Sequence, residues 1–253
     1  MKKNSLFLLL SFFSLAMILS VNATNAKRQV IASENGQSLL SNINDEAKSL
    51  FQEVKLTASD AAESDDFGIS VGLYGDTVVV GAPRDDDEGL DSGSAYIFAK
   101  NGNTWVQQAK LNASDAADDD RFGISVAISG DTAVIGAYFD DDKGGKSGSA
   151  YVFIRNGTVW SQQAKLVASD GGAFDWFGES VAIFNDTILV GAANYDDFGL
   201  ANIGAVYVFA RNGTIWNEQA ILTATDAAQG DYFGDAVALY NPSCHYKRQH
   251  LKY

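Results

Sequence analysis

One cysteine, two histidines and two prolines are all that 253 residues hold of these types. A lone Cys244 excludes a disulfide framework, because a secreted domain stapled by disulfides needs its cysteines in pairs. Both histidines, His245 and His250, stand near the end of the chain, so the body offers no general base of the usual kind. No serine sits in a nucleophile elbow. Basic residues are outnumbered, 18 against 32 acidic, for a formal charge of −14. Such a surface repels nucleic acid and anionic lipid, which removes both as partners. It suits cations or basic proteins, and it keeps a β protein soluble. What is plentiful is glycine, 24 residues, and aromatics, 11%, a balance that fits short strands joined by tight turns.

Residues 1–26 read as a secretory signal peptide. Lys2 and Lys3 precede an apolar run from Leu6 to Leu19, and Val21-Asn22-Ala23 and Thr24-Asn25-Ala26 offer small-residue cleavage sites. The run is short for a membrane span, which takes ~20 residues, so no membrane insertion is expected after cleavage. Residues 27–49 are a polar lead-in without a clean period.

From residue 50 to 241 the chain repeats. A Phe-Gly pair stands at Phe67-Gly68, Phe122-Gly123, Phe177-Gly178 and Phe233-Gly234, and Gly-Ala follows at Gly81, Gly136 and Gly191. An Asp lies seven residues before each Phe: Asp60, Asp115, Asp170 and Asp226. Residues 55–109 and 110–164 agree at 35 of 55 positions, so the two units are duplicates with equivalent packing neighbours. Each unit reads as four strands. The first alternates large and small residues from Phe67 to Leu73; the second, Thr77 to Ala82, is apolar on both faces and so buried. The third is Gly93 to Phe98, and the fourth carries Trp105, Trp160 or Trp216. Gly75-Asp76 and Asn101-Gly102 supply hairpin turns. Glu179 and Asp235 stand where Ile69 and Ile124 set the pattern, and nothing in the sequence accounts for them. At Pro242 the pattern breaks, and residues 242–253 read as an aberrant basic tail. The architecture expected is all-β: a β-propeller of four-stranded antiparallel blades, incomplete at about 3.5 blades. It would belong to a longer chain or assemble with a second copy.

The Phe-Gly and Gly81-Ala82-Pro83 signatures resemble the FG-GAP repeats of integrin-alpha-type β-propellers, in the form found in secreted bacterial and microbial-eukaryote proteins. The resemblance implies a secreted or cell-surface propeller that binds an extracellular protein or glycan, often with Ca²⁺ in some blades. The integrin calcium loop, Asp-x-Asp-x-Asp-Gly between the Phe-Gly and Gly-Ala strands, has no counterpart here; a tight turn with a single Asp76, Asp131 or Asp186 takes its place.

The remaining candidate for a metal is the loop after Gly-Ala. Asp85, Asp87 and Asp91 alternate around Gly89 and could present hard oxygens to Ca²⁺. Asp140 and Asp142 occupy the same loop of the second unit, where Lys143 and Lys146 intrude; the third keeps Asp196 and Asp197. The acidic approach to each Phe-Gly, such as Asp118-Asp119-Asp120, would line one rim with carboxylates, unless Asp serves there as a turn former, the reading preferred for the Asp seven before each Phe. Asn112, Asn156, Asn185 and Asn212 stand in glycosylation sequons. No constellation looks catalytic. The function expected is binding without chemistry; a secreted carbohydrate-active enzyme, or a structural module of a longer surface protein, are the alternatives.

Overall fold

The computed structural model describes residues 54–197 and 199–240; the expected signal peptide, lead-in and basic tail lie outside the described residues. All regular structure in them is β. Blade one comprises β1 (Val71–Tyr74), β2 (Thr77–Ala82), β3 (Ser94–Asn101) and β4 (Thr104–Leu111). Blade two comprises β5 (Ser125–Ser129), β6 (Thr132–Ala137), β7 (Ser149–Asn156) and β8 (Val159–Leu166). Blade three comprises β9 (Phe177–Phe184), β10 (Thr187–Ala192), β11 (Ala205–Asn212) and β12 (Ile215–Leu222). Each is an antiparallel meander with its strands in chain order, the sheet of a propeller blade. Phe233-Gly234 opens a fourth unit after β12.

The connections sort to two ends. Short hairpins at 74–77 and 101–104, and their copies, lie at one end. The long loop between β2 and β3 and the linker between blades both lie at the other. The second strand is buried at every residue in blades one and two, as its two-sided apolar pattern requires.

The two glycine signatures are one contact. A Cβ on Gly81 would stand 1.9 Å from the carbonyl oxygen of Gly123, in the next blade. Ser70 donates its hydroxyl to that same oxygen at 2.7 Å. Ser125 to Gly178 and Ser180 to Gly234 repeat the bond at 2.7 Å. Gly-Ala therefore makes room, and Phe-Gly of the following blade fills it. Phe122 is fully buried, edge-on to Tyr151 and Phe153 of its own blade and packed among Ala95 and Ile97 of the blade before.

The first strand is shorter than its pattern suggests in blades one and two. The chain turns at Phe67–Ser70, and β1 begins only at Val71. The Ile69 amide bonds back to the carbonyl of Asp66 at 3.1 Å, which closes that turn and leaves Ile69 exposed. The outer hairpin carries a feature that the pattern hid. Between β3 and β4 the register slips by one residue, leaving Gln108 unopposed; Gln163 holds the same place in blade two. A bulge re-aims its side chain. Gln108 accepts from the Trp160 indole at 2.8 Å and Gln163 from Trp216 at 3.0 Å, so each blade's outer strand is tied to the next.

Candidate functional site

Two clusters of three carboxylates form at the loop end of blades one and two: Asp60, Asp85 and Asp87, and Asp115, Asp140 and Asp142. In each, one oxygen per residue lies within 4.8 Å of the others, close enough to hold a metal ion. Four of the five residues expected from sequence are therefore brought together. Asp91 is not: it pairs at 2.8 Å with Arg121 of the next unit, and its amide bonds to Asp86. The third member of each cluster is Asp60 or Asp115, the Asp seven before the Phe, expected as a turn former.

Each cluster already surrounds a cation. Lys110 Nζ lies 2.9 Å from Asp60 and 3.0 Å from both oxygens of Asp85, and it also bonds Asp87. Lys165 Nζ lies 2.7 Å from Asp115, 2.9 Å from Asp140 and 2.5 Å from Asp142. Strand register places these lysines: Lys110 faces Tyr96 across the β3–β4 ladder, and Lys165 faces Tyr151 across β7–β8. The tyrosines are fully buried, and each satisfies its hydroxyl on a carboxylate. Tyr96 donates to Asp85 at 2.7 Å; Tyr151 donates to Asp140 at 2.7 Å and to Asp115 at 3.0 Å. Ser94 and Ser149 donate to the same buried Asp, each at 3.0 Å.

The electrostatics follow. Burial alone would raise the Asp85 carboxyl, but hydrogen bonds from Tyr96 and Lys110 outweigh it and hold it below the usual range. Asp60 and Asp115 are lowered by the same contest, with the lysine hydrogen bond the strongest opponent of burial. Burial would lower Lys110 and Lys165, yet their carboxylate partners hold both above the ordinary lysine range. A divalent ion at either cluster would have to take the place of an ammonium already bonded to all three carboxylates. The donor set as it stands is filled by lysine.

Blade three lacks the cluster. The buried Asp is replaced by Tyr195, the lysine by Ile221, Ser94 and Ser149 by Ala205, and Ser92 and Ser147 by Ile203. Asp170 remains and accepts from Tyr195 at 3.0 Å and Tyr207 at 2.8 Å. Among these changes the lost carboxylate and the lost ammonium cancel in charge.

The acidic approach to Phe-Gly is not a rim of free carboxylates. Asp65, Asp120, Asp175 and Asp231, two before each Phe, accept from the amide three residues earlier at 2.7–2.8 Å. Burial is the main force pushing Asp120 and Asp175 up to about 6. Asp118 accepts from the Leu90 amide at 2.9 Å, and Asp119 pairs with Arg121 at 2.8 Å. Of the sequon residues, Asn156, Asn185 and Asn212 are exposed at hairpin turns; Asn112 is half-buried and donates to Ser94 at 3.1 Å.

The FG-GAP repeat family matches residues 50–98, 105–153, 160–209 and 216–242, and the chain belongs to it. Among solved structures, a europium-containing methanol dehydrogenase is similar over 60% of this chain and 23% of its own, at 8% identity and a TM-score of 0.38. This chain thus spans less than a quarter of that enzyme's length, and a likeness of this size carries no argument. No curated protein matches by sequence.

Proposed function

We propose that this protein is an extracellular or cell-surface binding module, without chemistry of its own, that recognises a protein or glycan through the loop end of its blades. The observation that carries this reading is where the repeats differ. The glycine contacts, tight hairpins and outer tryptophans recur from blade to blade, while the loop end changes. Pro83-Arg84 becomes Tyr138-Phe139 and then Ala193-Asn194, and the residue before the Phe runs Asp66, Arg121, Trp176, Tyr232. A scaffold held constant beneath a varied loop surface is how binding folds carry specificity. The signal-peptide pattern of residues 1–26 and the exposed sequons support an extracellular setting. The test is a glycan array and a cell-binding assay on the purified chain, beside a polysaccharide hydrolysis panel. Retention on either surface without hydrolysis is expected; turnover of a polysaccharide would replace this reading by the enzyme.

Calcium enters this reading as a displaced ligand. Lys110 and Lys165 serve as the cations of their clusters, so Ca²⁺ leaves the wild-type melting temperature unchanged and raises that of Lys110→Ala. A Ca²⁺-dependent rise in the wild type, reversed by EGTA, would return the clusters to calcium.

A further inference from the structure

Glu179 and Asp235 replace the isoleucines of the first two units, and the structure places both in one cavity. It opens between blade three and the start of the fourth unit, with a volume of about 350 Å³, inside the range of small-ligand pockets. Trp176, Glu179, Ala193, Asn194, Tyr232 and Asp235 line it. One gap earlier, Tyr138 and Phe139 occupy the places of Ala193 and Asn194, and Trp176 packs against them at 5.6 and 5.8 Å between ring centroids. The cavity therefore exists because two aromatics have become small.

Its walls are also the place where polar atoms go unanswered. Among the described residues, the buried side-chain atoms without a hydrogen-bond partner are Trp176 Nε1 and Glu179 Oε2, one donor and one acceptor. Such atoms are rare and costly in a folded protein unless something else satisfies them. Among the described residues no cation pairs with Glu179 or Asp235, in contrast to the lysine-filled clusters. Burial first, then the charge of Asp235, pushes the Glu179 carboxyl up to about 7. The left-handed backbone of Trp176 recurs at Asp66, Arg121 and Tyr232, so it belongs to the repeat and not to the cavity.

We infer that this cavity is a carbohydrate site, taking one neutral sugar unit of a glycan between Trp176 and Tyr232. Three features select that chemistry. A sugar hydroxyl both donates and accepts, so neighbouring hydroxyls answer Glu179 and Trp176 together. A simple ammonium or guanidinium has no acceptor for the indole, and an anion meets two carboxylates. Aromatic rings offer apolar faces to the C–H side of a pyranose. The inference rests on the binding reading above and names its ligand class and place.

The test titrates the purified full chain with glucose, galactose, mannose, N-acetylglucosamine and their oligomers, followed by tryptophan fluorescence and calorimetry. Glu179→Ile and the double change Ala193→Tyr with Asn194→Phe install residues of the earlier units, and a urea midpoint reports whether each variant folds. At least one sugar is expected to bind saturably, and each folded variant to weaken it by about tenfold or more, Glu179→Ile by losing a hydrogen bond to a charged group and the double change by refilling the cavity. No binding by any sugar, or equal binding by both variants, would overturn the site. So would saturable binding of arginine amide that Glu179→Ile abolishes while no sugar binds. Retention of the wild type on cells or the glycan array, unchanged in both variants, removes the cavity but keeps the binding module; no retention on either surface removes both.

Discussion

Blades one and two solve a buried position with charge, and blade three solves it without. In the first two, a fully buried tyrosine meets an Asp that also binds a serine and a lysine. In the third, tyrosine, alanine and isoleucine fill the corresponding places. The blade carries the same strands in the same order either way. The difference teaches that Asp, serine and lysine at this place are one unit. A buried ion pair replaced by packed residues of similar volume is often neutral for stability, whereas removal of one partner strands the other. The third blade shows the replacement made at the buried Asp, its serine and the lysine together. Asp170 survives because the tyrosine hydroxyls still need an acceptor.

The comparison predicts where blades should respond alike and where they should not. The largest effect falls on what all blades share. Gly136→Ala and Gly191→Ala each drive a methyl to about 2 Å from the next unit's glycine carbonyl. Each should cost about 4 kcal/mol or more, or prevent folding, by urea denaturation. A large difference between the two would mean that the glycine contact is not equivalent in blades two and three. Next comes Lys110→Met, which leaves Asp85 buried without its cation. A loss of about 3 kcal/mol is expected, and a cost under ~1 kcal/mol, typical of a surface pair, would place the cluster in solvent.

The smallest effect is in the pH profile. Asp60, Asp85 and Asp115 have lowered folded-state values, so their contribution is present above the unfolded value of 3.8 and is lost as pH falls through the folded one. Asp120 and Asp175, raised to about 6, act in the opposite sense: the folded state takes up protons first, and stability rises as pH drops from about 6 toward 4. Asp175→Asn should lessen the slope between pH 4 and 6, which Asp120 and Glu179 still carry, while leaving the acid limb below 4. An unchanged profile in that window would show that Asp175 does not carry it.

Much of the fold was legible because duplication repeats its own evidence. Phe-Gly, Gly-Ala and Asn-Gly recur in register, and a strand apolar on both faces can only be buried. The bulge at Gln108 was not legible, since an extra residue leaves no mark on a hydrophobic pattern; the Gln-Gln-Ala run in both units is its one trace. The first strand was read too long because Ile69 continues an alternation that the turn at Asp66 has already broken. In the candidate site the loop carboxylates Asp85, Asp87, Asp140 and Asp142 could be seen, because they are crowded in sequence. Asp60, Asp115 and the two lysines could not, since they stand some 25 residues away; strand pairing places the lysines, and the turns before each Phe-Gly bring in Asp60 and Asp115. The available signal was the loss of Lys and Asp together in the third unit, visible at Ile221 and Tyr195. Lys143 and Lys146 drew notice in the loop, but the lysine that fills the cluster is Lys165 of β8.

The central claim, that the buried network is gained or lost as a unit, is tested most directly by moving blade three's solution into blade two. Lys165→Ile alone and the set Asp140→Tyr, Ser147→Ile, Ser149→Ala and Lys165→Ile would be compared by urea denaturation. Lys165→Ile alone is expected to cost about 3 kcal/mol and the full set to recover most of it, to within ~1 kcal/mol of wild type. A full set that costs as much as the single change, or the sum of its parts, would contradict the claim.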